Sequence, residues 1–295
     1  MDPVVVFSPA KLNLFLAVTG RRADGFHDLV SVVAPVEFGD TLRIEAGAPG
    51  EFTLACDDAA VPTGESNLVL RAARLFAEAA GWGGGARFFL EKRIPMGAGL
   101  GGGSSNAVAA LVGLNTLAGG VLAGGALADV AARAGSDCPL FLPGGPVLMR
   151  GRGDRVEPLA AAARARLCGR RVLIFKPGFG INTPWAYARL AADGTKNYLP
   201  APEAEARLAA WLGDTQAPVE ALLFNSFERP AFSKFPALPV LLDALGEEFG
   251  LPAFMSGSGS ACFTLLPADA RAEPLRARIR DAWGATAWVV ETRIA

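Results

Sequence analysis

A glycine-rich segment near the middle of the chain has the composition of a phosphate-binding loop. Residues 95–106 read Pro-Met-Gly-Ala-Gly-Leu-Gly-Gly-Gly-Ser-Ser-Asn, and apolar residues at helical spacing follow at once. Glycine permits positive φ angles and lets an anion approach the backbone closely. The first turn of a helix adds unpaired N–H groups and the positive end of the helix dipole. The sequence therefore predicts a phosphate site here, and the alternative is a flexible glycine linker.

Three common phosphate-binding folds fit this loop poorly. The dinucleotide pattern G-x-G-x-x-G matches at Gly97, Gly99 and Gly102, but the acidic residue expected about 20 positions later is absent. A Walker A loop requires a lysine directly after its last glycine, but here Gly103 is followed by Ser104, and the next lysine is Lys176. The sole histidine, His27, is not followed by the Arg-Asp of a protein-kinase catalytic loop.

Two polar residues lie in an apolar strand near the start of the chain. A period of two places the three leucines of residues 12–16 on one face, and Lys11 and Asn13 on the other. An edge lysine whose stem covers the core would give the same pattern. Further along, Asp137 follows a predicted helix and precedes Pro139. Its carboxylate is either the N-cap of a short helical turn or, beside a bound phosphate, the acceptor of a hydroxyl proton.

An aromatic residue and the sole histidine follow a predicted turn at Asp24-Gly25. The ring of Phe26 can stack on a ligand ring while His27 hydrogen-bonds its edge, although a lone loop histidine is also common on solvated surface. A second glycine-serine segment, residues 257–260, either lets another group approach its backbone or forms a plain turn between strands.

The composition fits an ordered globular protein that binds a small ligand. The chain has 295 residues, of which 51% are hydrophobic, and a net charge of −1, which offers no wide basic field for nucleic acid. Its four cysteines lack zinc-ligand or disulfide spacing, and no apolar run is long enough to span a membrane. We therefore expect a cytoplasmic protein with a small-molecule substrate, no nucleic-acid or membrane partner, and a monomeric or weakly homodimeric state.

The predicted elements give an α+β fold. Strands are expected at 4–7, 12–18, 30–36, 41–46, 51–55, 87–91, 171–175 and 287–291, with a hairpin-like pair around 256–260 and with Gly39-Asp40 as a turn. Helices are expected at about 67–80, 104–118, 126–134, 184–192, 203–212, 236–249 and 269–283, the second of them capped by Ser104, Ser105 or Asn106. A low-complexity stretch at 157–165 places a domain boundary near residue 160, giving domains 1–160 and 161–295.

These features together resemble the GHMP kinase superfamily, whose signature is a Pro-x-x-x-Gly-Leu-Gly-Ser-Ser type of loop, matched by residues 95–105. Residues 8–16, residues 22–27 and the triple glycine followed by Ser-Ser-Asn-Ala resemble one branch of it. The resemblance spans nearly the whole chain. It implies a two-domain GHMP kinase architecture, with a ribosomal protein S5 domain 2-like N-terminal domain that binds ATP and a ferredoxin-like C-terminal domain.

The resemblance also implies a reaction and its residues. The reaction is transfer of the γ-phosphoryl group of ATP, in the presence of Mg²⁺, to an alcohol that carries a cytidine diphosphate group. Lys11 and Asp137 match the catalytic pair. The ATP-binding positions are Pro95, Met96, Gly97, Ala98, Gly99, Leu100, Gly101, Gly102, Gly103, Ser104, Ser105, Asn67 and Lys92. The acceptor-binding positions are Asn13, Phe26, His27, Thr183 and Tyr187. Ser105 is the candidate Mg²⁺ ligand.

One departure and two rival functions accompany this interpretation. The family usually has Tyr-His where this chain has Phe26-His27, so a phenol hydroxyl is missing while the stacking face remains. A kinase for homoserine or mevalonate would not need the aromatic residues, because those acceptors carry no base. A catalytically silent nucleotide-binding protein would need neither Lys11 nor Asp137.

Overall fold

The computed structural model describes residues 2–192 and 197–295. In chain order its strands and helices are β1 (Val4–Arg21), β2 (His27–Gly47), β3 (Phe52–Cys56), α1 (Leu68–Ala80), β4 (Gly85–Glu91), α2 (Gly102–Leu117), α3 (Gly124–Ala134), β5 (Val147–Gly151), β6 (Arg155–Pro158), α4 (Ala161–Leu167), β7 (Arg171–Lys176), α5 (Thr183–Ala192), α6 (Ala201–Gly213), β8 (Phe224–Asn225), α7 (Glu228–Lys234), α8 (Ala237–Phe249), β9 (Ala253–Met255), β10 (Cys262–Leu266), α9 (Ala272–Trp283) and β11 (Trp288–Arg293). The prediction of an α+β fold is confirmed.

The chain forms two compact units, and each is assembled from three separate segments. The first unit consists of Met1–Lys11, Phe38–Met96 and Gly101–Gly144, and the second of Leu12–Glu37, Gly97–Leu100 and Gly145–Ala295. The long strands β1 and β2 therefore contribute residues to both units. The boundary near residue 160 stays a prediction.

The first unit is a small sheet covered by helices. Strand β4 pairs antiparallel with the second half of β2 and parallel with β3. Helices α1, α2 and α3 pack against one another, and their apolar side chains join those of the sheet in one core that includes Ile44, Phe76, Phe88 and Leu111. Burial of such side chains contributes roughly 1.5–3 kcal/mol each.

The second unit contains the first half of β2, which pairs antiparallel with β5, and the second half of β1, which pairs in parallel with β8. It also contains a separate sheet with the strand order β11-β7-β10-β9, in which every pairing is antiparallel. Helix α8 packs against α9 and contacts β9.

Local signals placed several element ends correctly. Helix α1 begins where Asn67 Oδ1 accepts a hydrogen bond from the backbone N–H of Val69, and it ends at Gly81, whose φ is 57°. The predicted Asp24-Gly25 turn joins β1 to β2, and Gly25 has a φ of 86°.

The predicted turn at Gly39-Asp40 is wrong, because β2 runs without a break from His27 to Gly47. Gly39 is needed for a different reason: a Cβ there would lie 2.3 Å from the carbonyl oxygen of Ser8 in β1. The glycine lets the two backbones approach closely within one sheet, and a composition typical of turns misled the prediction.

The predicted start of the second helix is also wrong. Helix α2 begins at Gly102 after Gly101, which has a φ of 72°, and no side chain caps it. Ser105 and Asn106 lie inside the first turn, where their side chains bond to other groups. The structure also differs in helix α4, which lies in the low-complexity stretch. Strands β5, β6 and β8 and helix α7 are likewise absent from the predicted elements.

Candidate active site

Lys11 is a buried lysine held against the glycine loop and near a carboxylate. Its residue is only 4% exposed, so the alternative of an edge lysine is wrong. A Cβ on Gly101 would lie 2.9 Å from Lys11 Cγ and 3.0 Å from Cζ of Phe141, so only glycine leaves room for the lysine stem here. Burial lowers the pKa of Lys11 from its ordinary value of 10.5, and the carboxylate of Asp137 partly offsets that effect.

Asp137 is exposed and lies between α3 and a 3-10 turn formed by Pro139–Phe141. The residue at the N-cap position of that turn is Cys138, and no side-chain hydrogen bond caps it. The N-cap interpretation of Asp137 is therefore wrong. Within the first unit the carboxylate of Asp137 lies close enough to act on the pKa of Lys11, and the role of the two residues as a catalytic pair stays a prediction.

A buried network centred on Asp40 holds the segments on both sides of the glycine loop within the first unit. Asp40 is fully buried, and its Oδ1 accepts hydrogen bonds from the backbone N–H groups of Arg93 (2.6 Å) and Ile94 (2.7 Å). Its Oδ2 accepts from Lys92 Nζ at 2.5 Å and from Asn106 Nδ2 at 2.9 Å. One carboxylate thus fixes the residues before the loop and the first turn of α2 after it.

The same network extends to two hydroxyl groups. Asn106 Nδ2 also donates to Ser8 Oγ at 2.8 Å, and Ser8 Oγ donates to Ser105 Oγ at 2.8 Å. The predicted ATP-contacting Lys92 lies beside the helix start, because a Cβ on Gly102 would lie 3.1 Å from Lys92 Nζ. Lys92 and Gly102 are therefore neighbours, as expected if both meet the same nucleotide.

In the second unit, the first part of the glycine loop contacts the second glycine-serine segment. Ala98 O accepts a hydrogen bond from Ala261 N at 3.0 Å, and Gly99 O accepts one from Ser256 Oγ at 3.3 Å. A Cβ on Gly99 would lie 2.3 Å from the carbonyl oxygen of Ser256. The second segment therefore supports the first, which a plain surface turn would not do.

The sole histidine lies among aromatic rings of the second unit. The His27 and Tyr187 ring centroids are 5.0 Å apart, with an angle of 33° between the ring planes. His27 Nε2 is 3.2 Å from the hydroxyl oxygen of Tyr198. Burial, and to a smaller extent the charge of Arg21, lower the pKa of His27 below its ordinary value of 6.5, which favours a neutral imidazole. The contact leaves no room for a base between His27 and Tyr187, since a sandwich needs rings about 7 Å apart.

Phe26 is half exposed, as expected of a ring that meets a ligand, and the guanidinium of Arg152 lies 5.4 Å from its centroid. A cation over an aromatic face is a favourable electrostatic contact. Thr183, at the start of α5, shares a 2.8 Å hydrogen bond with Ser258 of the second glycine-serine segment. The second unit thus brings together Thr183 and the second glycine-serine segment, which the sequence suggested separately.

Asn13 is buried, and its Nδ2 donates to Ser31 Oγ at 3.0 Å. The backbone N–H of Asn13 donates to Ser256 Oγ at 3.2 Å. These bonds give Asn13 a supporting role in β1, and its contact with an acceptor stays a prediction. The ATP-contacting roles of Asn67, Lys92 and the loop residues also stay predictions.

Sequence reasoning missed Asp40, Ser8, Asn225 and Tyr198. Asp40 was missed because the dipeptide Gly39-Asp40 has the composition of a surface turn. Asn225, whose Nδ2 donates to Met255 O (2.7 Å) and Gly257 O (2.8 Å), lies in a two-residue strand too short for any periodic signal. Tyr198 is one of only two tyrosines in the chain, and this scarcity was the available signal.

Comparison with known proteins decides the family. The family profile of the GHMP kinases N terminal domain matches residues 67–145, and that of the GHMP kinases C terminal domain matches residues 206–285. A protein of Synechococcus sp. (strain CC9902), named 4-diphosphocytidyl-2-C-methyl-D-erythritol kinase, is 39% identical over 98% of this chain and 97% of its own. The chain is a GHMP kinase.

Solved structures of this GHMP kinase's relatives have the same fold. A crystal structure of 4-(cytidine 5'-diphospho)-2C-methyl-D-erythritol kinase, 36% identical, superposes with a TM-score of 0.76 and covers 99% of this chain and 100% of its own. Homoserine kinase from Cytophaga hutchinsonii, 19% identical, covers 100% of this chain and 95% of its own with a TM-score of 0.75, which shows a shared fold alone. The predicted two-domain GHMP kinase fold is confirmed.

Membership of the family makes this GHMP kinase an enzyme that uses ATP as its co-substrate and phosphorylates a small molecule. Across the described residues, no helix is both long and apolar enough to cross a membrane. Within the same ranges, no cluster of three or more histidine, cysteine or acidic side chains is arranged to hold a metal ion.

Proposed function

We propose that this GHMP kinase transfers the γ-phosphoryl group of ATP to the 2-hydroxyl of 4-diphosphocytidyl-2-C-methyl-D-erythritol. The products are the 2-phosphate and ADP, and the reaction belongs to the non-mevalonate route to isoprenoid precursors. The observation that carries the proposal is the gathering of aromatic rings around the sole histidine, in which His27 contacts Tyr187 and directly follows the half-exposed ring of Phe26. An imidazole and a phenol ring suit a nucleobase, whereas homoserine and mevalonate carry no ring to stack. The names of the relatives that match nearly the whole chain support the same acceptor.

In this proposal Asp137 and Lys11 act on the acceptor hydroxyl. The exposed carboxylate of Asp137 orients the hydroxyl and accepts its proton as the oxygen attacks the γ-phosphorus. Lys11 supplies positive charge against the negative charge on the transferring group. Its burial makes that charge effective, because a buried group is poorly screened by water. Positioning and electrostatics provide most of the catalysis in phosphoryl transfer.

The glycine loop and its supports bind the phosphates of ATP. The first turn of α2 offers backbone N–H groups from Gly102 onward, and no side chain caps them. Lys92, whose charge is paired with Asp40, lies beside Gly102 and meets the adenosine end of ATP in this proposal. The Asp40 network keeps both in place before ATP arrives, which reduces the entropy lost on binding.

Mg²⁺ enters this proposal with ATP, as part of the co-substrate. Ser105 fits a direct ligand poorly, because it is only 1% exposed and its hydroxyl accepts a hydrogen bond from Ser8. Magnesium usually retains several waters and is held by substrate phosphates with one or two carboxylates. Contact between Ser105 and the ion stays a prediction, and no step depends on it.

The acceptor is bound through its base. Phe26 and Tyr187 present ring faces to the cytosine, and the neutral His27 addresses its edge. Stacking contributes on the order of 1–3 kcal/mol per base. In this proposal Thr183, which shares a hydrogen bond with Ser258, contacts the same acceptor.

The test is ADP release by the purified protein with MgATP. The acceptors compared are 4-diphosphocytidyl-2-C-methyl-D-erythritol, homoserine, mevalonate and none. We expect ADP release only with the cytidyl compound. Release with another alcohol would refute the acceptor, and silence with every acceptor would favour a catalytically silent nucleotide-binding protein.

A second experiment tests the catalytic pair. Asp137→Asn keeps the side-chain shape and removes its basicity. We expect ATP affinity to be nearly unchanged and turnover to fall at least about a hundredfold, as for loss of a general base. Turnover close to that of the parent protein would refute the role of Asp137.

A further inference from the structure

The single histidine and both tyrosines of this chain lie in one cluster. The composition contains one histidine and two tyrosines. The Tyr187 ring is tilted against that of His27 with a centroid distance of 5.0 Å, and the Tyr198 ring lies 5.9 Å from that of His27. Among the residues that the structure describes, the hydroxyl that meets a ring nitrogen of His27 is that of Tyr198, at 3.2 Å from Nε2. The two tyrosines therefore serve different purposes at the same imidazole.

Tyr198 is held in place from both sides. The backbone N–H of Leu199 donates to Val18 O of β1 at 3.1 Å, and Asn197 Nδ2 donates to Leu190 O of α5 at 3.4 Å. Leu199 is buried, and α6 begins two residues later at Ala201. The hydroxyl is thus presented by anchored backbone, 171 residues along the chain from the histidine that it meets.

The direction of the hydrogen bond follows from the acidity of the two groups. A phenol has a pKa of about 10 and is a good donor, whereas a neutral imidazole nitrogen is a basic acceptor. In the described ranges, the groups that act on His27 are Arg21 of β1, Tyr187 of α5 and Tyr198, and the charge of Arg21 opposes a second proton on the ring. With the hydroxyl donating to Nε2, the single imidazole proton is on Nδ1.

We propose that Tyr198 is a positioning residue that determines base specificity, because its hydroxyl fixes the Nδ1–H tautomer of His27. His27 then offers an N–H donor to an acceptor atom on the edge of a pyrimidine. Cytosine presents such an acceptor at N3, whereas uracil presents a donor at the same position. A phenol hydroxyl thus reaches the histidine from Tyr198, although residue 26, beside the histidine, is phenylalanine. The consequence for substrate choice rests on the proposed function, but the tautomer does not.

The first experiment measures the tautomer directly in the protein without acceptor. Because His27 is the only histidine, its two ring nitrogens give unambiguous signals in a long-range ¹H–¹⁵N spectrum. We expect the Nδ1–H form in the parent protein and a shift toward Nε2–H in Tyr198→Phe. Tyr187→Phe is the matched control, because it removes the other phenol hydroxyl of the cluster and should leave the tautomer unchanged.

The second experiment measures kinetics with the cytidyl acceptor. Loss of one hydrogen bond through Tyr198→Phe should raise the KM for the acceptor about threefold to tenfold. The KM for ATP, the kcat and the thermal midpoint should stay within error, which a general loss of folding would not allow.

The outcomes separate the two proposals. An Nε2–H form in the parent protein, or an unchanged tautomer in Tyr198→Phe, overturns the role of Tyr198. A raised acceptor KM without a tautomer change also overturns it, since the effect would then not pass through His27. Absence of activity with the cytidyl compound refutes the proposed function, while the spectrum still decides the assignment of Tyr198.

Discussion

Gly99→Ala tests whether the glycine loop depends on close approach to the second glycine-serine segment. Gly99 has a φ of 77°, and an added Cβ would lie 2.3 Å from the carbonyl oxygen of Ser256, about 0.7 Å closer than the 3.0 Å that real Cβ atoms keep. The left-handed conformation costs alanine roughly 1–2 kcal/mol. Relieving the clash must also move Ser256 O, which accepts the hydrogen bond from Gly259 N at 3.1 Å, and disrupting that bond costs about 1–3 kcal/mol.

The matched control is Gly97→Ala. Gly97 has a φ of 61°, but a Cβ there meets nothing within 4 Å, so this variant carries the backbone strain alone. We expect the free energy of unfolding to fall by about 1 kcal/mol for Gly97→Ala and by about 3 kcal/mol for Gly99→Ala. Urea unfolding followed by circular dichroism measures both values. Equal losses in the two variants would refute the argument from close approach.

Three further predictions concern charge. Lys11→Met should abolish turnover yet raise the thermal midpoint at neutral pH, because burial lowers the pKa of Lys11 and a charged lysine opposes folding below that lowered pKa. The gain in thermal midpoint should shrink as the pH rises toward 10.5, where the lysine is also neutral in the unfolded chain. A lower midpoint than that of the parent protein at pH 7 would contradict this. Asp40→Ala should lower the free energy of unfolding by about 3–5 kcal/mol, because it leaves Lys92 buried without its partner. In urea unfolding, the double variant with Lys92→Met should recover part of that loss, whereas additive losses would contradict the coupling of the two residues. The KM for the cytidyl acceptor should rise on acidification with a midpoint below pH 6.5, because the pKa of His27 is lowered from that ordinary value and its ring stays neutral above it. A midpoint above pH 6.5 would contradict this.

Features set by neighbouring residues could be predicted from the sequence. The end of α1 at Gly81 and the Asp24-Gly25 turn needed only local chemistry, since a left-handed residue or a tight turn is encoded within a few positions. The glycine loop followed by a helix was predicted for the same reason, apart from the first residues of the helix.

Features set by distant residues could not be predicted in this way. Gly39 has turn composition, yet its position in β2 is determined by the backbone of Ser8. Asn106 looked like a helix cap, but its side chain bonds to Asp40, 66 residues earlier. Tyr198 contacts His27, which is 171 residues away in the chain, and the spacing of apolar residues within a helix or strand gives no information about such a contact. The pairing of Lys11 with Asp137 came from family resemblance, because a single sequence contains no measure of distance between remote residues.

The interleaving of the two units limits how this enzyme can be divided. Neither unit is one continuous stretch, because the chain passes between them within β1, within β2 and within the glycine loop. A fragment that ends at residue 160 would keep β1 but lose Phe224–Asn225, the strand that pairs with Phe15 and Leu16. The edge of β1 would then be open to pairing with other chains, so such a fragment should aggregate. Neither unit can therefore be exchanged or expressed as one continuous segment, and a fusion partner is better inserted at an exposed surface turn of the whole chain.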